Sequence, residues 1–130
     1  MAWHAKPSGG YAIGTSEATD NMNAYYAYMG NYCSKNNVVG QLCNVRAESG
    51  FNPWRWESDT VNLSRGYGLF QYTPATKYIQ SAVAAGYAGF QPNYPMGSGG
   101  PDDGTAQLLF MHNNVDGGYI PTSAYPLTMQ

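Results

Sequence analysis

Two stretches, Ala47-Glu48-Ser49-Gly50-Phe51-Asn52-Pro53 and Gly66-Tyr67-Gly68-Leu69-Phe70-Gln71-Tyr72-Thr73-Pro74, decide how this chain reads. Before the first, Val38, Val39, Leu42, Cys43 and Val45 give a helical run that should reach about Ser49. Gly50 is a natural stop, and Pro53 prevents continuation. Glu48 therefore stands in the last turn of a helix, at a fixed edge. That end of a helix carries partial negative charge, which disfavours a carboxylate there. With Phe51 and Leu69 expected beside it, the setting favours the neutral acid. It costs stability, and it makes sense if proton donation is the purpose. Glycoside cleavage needs such an acid to protonate the leaving oxygen. The plainer alternative is a solvated Glu paired with Arg46 or Arg55.

The segment that follows is rich in Trp, Tyr, Asn and Gln and is chemically suited to sugar. Trp54, Trp56, Tyr67, Tyr72 and Tyr78 can stack on pyranose rings or cover a core, and a mixture is expected. Gln71, set between Phe70 and Tyr72, needs a hydrogen-bond partner. A substrate hydroxyl or acetamido group would supply one, as would the backbone around Glu48. A second carboxylate should face Glu48. Asp59 is favoured, because a short side chain at a strand end can be held fixed; Glu57 is the lesser candidate. Either also reads as a solvated loop charge.

Working outward, the first ten residues form an irregular arm, and residues 1–14 are set apart from a domain over 15–130. Ser16 is read as an N-cap, with Glu17 and Asp20 in the first turn. Ala18, Met22, Tyr25, Met29 and Tyr32 follow at helical spacing. Asn36-Asn37 marks a turn, with Asn37 capping the helix that carries Glu48. Residues 51–72 lack a helical period and suggest a small irregular β lobe. Thr73-Pro74 starts a third helix, with Thr73 as cap, Pro74 in the first helical position, Tyr78, Ile79, Ala82 and Val83 on one face and Gly86 as its stop. Gly86 to Gly100 should be loop. A fourth helix begins near Pro101, carries Leu108, Leu109, Met111 and Val115, and breaks at Asp116-Gly117-Gly118. Residues 123–130 read as a loop leading to a cap at Thr128 without its helix, so a C-terminally truncated domain is expected. The fold class is α+β, predominantly α.

Bulk properties narrow the partners. The chain has 130 residues, enough for one domain. Charged residues make up 11%, against about 25% in typical proteins, while aromatics reach 15% and include twelve Tyr. A net charge of −2 with no Lys/Arg cluster argues against nucleic acid. No apolar stretch approaches the roughly 20 residues that span a bilayer, and the N-terminus has no hydrophobic run of a signal peptide. His4 and His112 lack ligand spacing, so neither a metal nor another cofactor is expected. Cys33 and Cys43 suit a short disulfide, stabilising by about 3 kcal/mol at most, or two free thiols. Their helix-face setting argues against a Cys–His peptidase.

From Glu48 to Pro74 the sequence resembles the lysozyme-like superfamily. Glu48-Ser49-Gly50-Phe51-Asn52-Pro53 is similar to the catalytic-Glu motif of lytic transglycosylases and goose-type lysozymes. Gly68-Leu69-Phe70-Gln71-Tyr72-Thr73-Pro74 is similar to their second motif. Trp56, Thr73-Pro74-Ala75 and Tyr78-Ile79 resemble the phage tail lysozyme family in particular. The resemblance covers about Val38 to Ile79 most specifically and weakens from Pro101 onward. It implies a lysozyme-like fold and cleavage of the β-1,4 bond between N-acetylmuramic acid and N-acetylglucosamine, with Glu48 as acid. It also implies a virion location at a phage tail tip, peptidoglycan as substrate, and other tail proteins or a further C-terminal domain as partners. Two departures are the longer Gly-rich arm and the absent C-terminal helices. A lytic transglycosylase giving anhydro products and a non-catalytic glycan-binding or structural tail module are the competing readings.

Overall fold

The computed structural model describes residues 3–7, 9–85 and 103–114. Four helices carry it: α1 (Ser16–Met29), α2 (Lys35–Ser49), α3 (Ala75–Ala85) and α4 (Asp103–Asn114). α1 packs against α2 and α4, and α4 also packs against α3. The expected stop at Gly86, the loop to Gly100, the break at Asp116-Gly117-Gly118 and the segment 123–130 lie outside the described residues.

Helix starts follow from side chains that satisfy the free N–H groups of the first turn. Thr15, in extended backbone, accepts from the Ala18 N–H at 3.2 Å and is the cap of α1. The neighbouring Ser16 instead donates to Glu17 Oε1. α2 is capped by Ser34, which accepts from the Asn37 N–H at 3.3 Å, so Asn36 and Asn37 lie inside the helix. The caps expected at Ser16 and Asn37 are therefore displaced toward the N-terminus, where an extended residue precedes the first turn, while α3 begins at Ala75 and the Thr73 hydroxyl donates to Gln71 O. At the other end α2 stops as expected. Gly50 adopts φ 58°, and its N–H donates to Arg46 O.

Residues 51–72 contain a single 3₁₀ turn (Glu57–Asp59) and two isolated antiparallel bridges, Trp56 with Tyr67 and Tyr67 with Tyr72. The expected short strands reduce to these bridges. Positive φ at Ser58 (56°), Asp59 (54°), Gly68 (87°) and Gln71 (52°) turns the chain before any ladder can lengthen.

What holds this lobe is an aromatic core. Trp56 and Tyr67 rings lie 4.6 Å apart. Tyr72 stacks on Tyr78 at 5.2 Å, and Phe110 of α4 meets both edge-on at 5.1 Å. Trp56, Tyr67 and Tyr78 are fully buried and Tyr72 nearly so. Such rings each bury about 150–250 Å² and prefer these offset and edge-to-face arrangements.

One polar residue sits inside this core and ties its parts together. Gln107, fully buried on α4, accepts from the Leu69 N–H at 2.7 Å and donates from Nε2 to Pro53 O at 2.6 Å. Its backbone carbonyl accepts from Tyr72 Oη at 3.1 Å. Both motif stretches are thus fastened to one side chain of a distant helix.

The N-terminal arm is irregular but well bonded. Trp3 is buried, and its indole donates to Thr105 Oγ1 at 3.1 Å. Buried Asn21 bonds both backbone groups of His4 and donates to Phe51 O. Buried Asn52 donates to Lys6 O and Gly9 O, each at 2.7 Å, and accepts from the Lys6 and Trp54 N–H groups. The Tyr11 N–H donates to Gly50 O, where the arm crosses the end of α2.

Cys33 and Cys43 are not joined; Cys33 is buried and Cys43 exposed. Burial pushes the Cys33 thiol above its ordinary range. Two outcomes follow. An aromatic disulfide reagent should titrate one thiol, Cys43, in the folded chain and the second after denaturation; two thiols reacting at one rate would contradict this packing. Gln107→Met keeps the volume but strips two buried backbone groups, the Leu69 N–H and the Pro53 carbonyl, of their partner, and should lower unfolding free energy in urea by about 2–4 kcal/mol.

Candidate functional site

α2 delivers Glu48 to the rim of a cavity of about 320 Å³. Its lining comprises Ala47, Glu48, Arg55, Glu57, Ser58, Gln71 and Thr73. Ligand pockets commonly hold roughly 300–1,000 Å³, so this one suits a sugar-sized group. The lining is mostly polar, in keeping with a hydroxyl-rich ligand.

Glu48 occupies the last turn of α2, as read from the sequence. The dry setting expected for it is absent among the described residues. Glu48 is exposed, and its carboxylate makes no hydrogen bond or ion pair with a described residue. Phe51 and Leu69, expected to shield it, belong to the buried core at 2% and 0% exposure. The positive φ of Gly50 and then Phe51 (58° and 61°) swings the chain inward immediately after the helix, leaving Glu48 outside.

Glu57, not Asp59, shares the cavity with Glu48. Glu57 Oε1 accepts from the Gly66 N–H at 3.2 Å, and Oε2 lies 3.3 Å from Arg65 Nη1. One carboxylate of the cavity is therefore held and the other is free. Asp59 does not line it. Its Oδ1 accepts from the Gly9 N–H at 2.6 Å and lies 3.4 Å from Arg55 Nε, so it fastens the arm. The left-handed backbone of Ser58 and Asp59 is what turns this carboxylate away.

Gln71 lines the cavity and is half-buried. Its Nε2 donates to Arg55 O at 3.1 Å and Gly68 O at 2.9 Å. The partner sought for it is thus the backbone of the lobe itself. The aromatic residues fare differently. Trp56, Tyr67, Tyr72 and Tyr78 are core, at 0–3% exposure, and cannot stack on a sugar in this structure. Trp54 is half-buried against the core edge, its indole N–H enclosed without a partner among the described residues.

Sequence reasoning missed Arg55, Ser58 and Thr73 as lining residues. A signal existed for Arg55. In an extended stretch alternate residues face opposite ways, so Trp56 pointing inward sends Arg55 and Glu57 outward together. Elsewhere, His4 bonds Asp20 at 2.8 Å and His112 stacks on Tyr32 at 4.1 Å. Among the described residues no three His, Cys, Asp or Glu side chains gather as a metal site, and no helix is long and apolar enough to cross a membrane.

Comparison with known proteins follows the same direction. The sequence profile of the phage tail lysozyme family matches residues 19–129, most of the chain. A protein named morphogenesis protein 1, from Bacillus phage B103, is 48% identical over 50 residues, which are 38% of this chain and 14% of that protein. The chain thus corresponds to a small part of that relative's length.

The two glycines of the second motif should behave differently. A Cβ at Gly68, where φ is 87°, would fall 2.4 Å from Gln107 Oε1 and 2.8 Å from its Cδ. Gly68→Ala is expected to cost more than about 2 kcal/mol in urea unfolding. At Gly66 the nearest atoms are Gln71 Oε1 (2.8 Å), Gln71 Cβ (3.2 Å) and Glu57 Oε1 (3.2 Å), and its φ is not positive, so Gly66→Ala should cost less than Gly68→Ala. Equal losses would refute this account of the turn.

Proposed function

This chain belongs to the phage tail lysozyme family, and from that premise we propose that it cleaves the glycan strands of peptidoglycan, with Glu48 as general acid. The observation that carries the reading is the free Glu48 carboxylate on the rim of a polar cavity that it shares with Glu57 and Gln71. Residues 15–130 carry the catalytic domain in this reading, with residues 1–14 as its arm, in which His4, Lys6 and Gly9 are tied to Asn21 and Asn52.

A glycan strand laid across the cavity displaces water and supplies the dry surroundings that Glu48 lacks alone. Glu48 then protonates the oxygen bridging N-acetylmuramic acid and N-acetylglucosamine. Positive charge develops on the sugar ring as the bond breaks. Glu57, anchored by Gly66 and Arg65, is fixed where it stabilises that charge or directs a water. Gln71 offers its remaining carbonyl oxygen to a hydroxyl or acetamido N–H. The proposed setting is a phage tail tip, where local wall cleavage opens a path into the host. Other tail proteins are the expected neighbours.

Purified peptidoglycan digested with the chain should yield new sugar ends, identified by mass spectrometry. Reducing ends mark a hydrolase and 1,6-anhydro ends a lytic transglycosylase; no new ends would sink the enzymatic reading. Glu48→Gln should lower the rate by about 10²–10⁴-fold while sedimentation with insoluble wall persists. Glu57→Gln, which keeps an acceptor for Gly66 but loses the charge, should cost at least about tenfold. A Glu48→Gln chain clearing walls at the parent rate would remove Glu48 from the mechanism.

A further inference from the structure

The cavity carries one positive side chain among its lining residues, and its surroundings leave that charge underused. Arg55 has a fixed base. Its N–H donates to Asn52 O, and its carbonyl accepts from the Gly68 N–H at 2.8 Å and from Gln71 Nε2. The side chain is 30% exposed and extends beneath the arm, with Nη1 3.2 Å from where a Cβ on Gly10 would lie. Its Nε faces Asp59 at 3.4 Å, while Nη1 and Nη2 donate to no described residue. A long, partly exposed ion pair contributes little to stability, so the Asp59 contact does not account for a guanidinium on this wall. The wall is otherwise acidic: Glu48 and Glu57 line it, and Asp59 adjoins it. Arg65 is engaged by Glu57, which leaves Arg55 as the positive side chain on the lining itself.

Resting on the peptidoglycan reading above, we propose that Arg55 is a specificity-determining residue whose free guanidinium edge binds a carboxylate of the substrate's peptide stem. A guanidinium presents parallel N–H donors that match the two oxygens of a carboxylate, which a neutral sugar lacks. The chain thereby distinguishes peptide-bearing wall glycan from uncharged polysaccharides of similar backbone. Asp59 acts through Arg55: by engaging Nε it leaves the Nη donors for the substrate.

The test uses the full chain carrying Glu48→Gln, so that binding is read without lysis. Its probe is insoluble peptidoglycan stripped of teichoic acid, either native or with carboxyl groups converted to amides by carbodiimide and ammonium. Co-sedimentation in dilute salt should show about tenfold tighter binding to the native form. Adding Arg55→Gln should bring binding to both forms down to the level seen with amidated wall. Adding Arg55→Lys, which keeps charge without the fork, should retain part of the preference; it also serves if the Gln variant fails to fold. Three results overturn the proposal: equal binding of Glu48→Gln to both forms, a preference that survives Arg55→Gln, or an equal loss on both forms. The glycosidase reading stands or falls separately, on the sugar ends released by the parent chain.

Discussion

Gln107 is the constraint on which the site depends. An unpaired buried polar group costs about 1–3 kcal/mol, so an amide with no exposure favours the arrangement that satisfies it. Its partners, the Leu69 N–H and the Pro53 carbonyl, belong to the two loops that carry the cavity's residues. Because each loop also needs Gln107 to satisfy its own backbone, neither can shift without exposing a polar vacancy in the core. The loops have almost no regular pairing to hold them otherwise. α4 thus sets the position of a site to which it contributes no lining residue.

Around that clamp, polar and aromatic roles are divided by face. In the lobe, the large rings turn inward and form the packed layer between the loops and helices α3 and α4. The charged and amide groups turn outward onto the cavity. The outcome is a site built of short polar contacts on a rigid aromatic backing. Precision at Glu57 and Gln71 comes from that backing, through backbone groups at Gly66, Gly68 and Arg55. Glu48 is different in kind: it relies on the rigidity of α2 and on nothing at its own carboxylate.

Much of this was legible in the residues. The end of α2 at Gly50 and Pro53, the third helix after Thr73-Pro74 and the placement of Glu48 all follow from local stereochemistry. What was not legible depended on the direction in which side chains leave an irregular backbone. Tyr and Trp suit a sugar platform and a core equally, and Tyr67, Tyr72 and Tyr78 went to the core once the lobe proved too short of strands to close itself. Asp59 and Glu57 are two residues apart, and the left-handed turn at Ser58 and Asp59, invisible in the residue types, decided which carboxylate lines the cavity with Glu48. The shielding of Glu48 failed for a related reason, since Phe51 is turned inward by its own positive φ.

Asn52 has a consequence for lineages. Within seven residues the first motif holds a carboxylate bonded to none of the described residues and an amide that makes four hydrogen bonds within the fold. In a descendant released from selection for chemistry, position 48 is free to drift, while position 52 stays fixed by folding alone. A recognisable Gly-Phe-Asn-Pro signature can therefore outlive the activity, and the residue that reports whether such a descendant still works is the acid, not the motif around it.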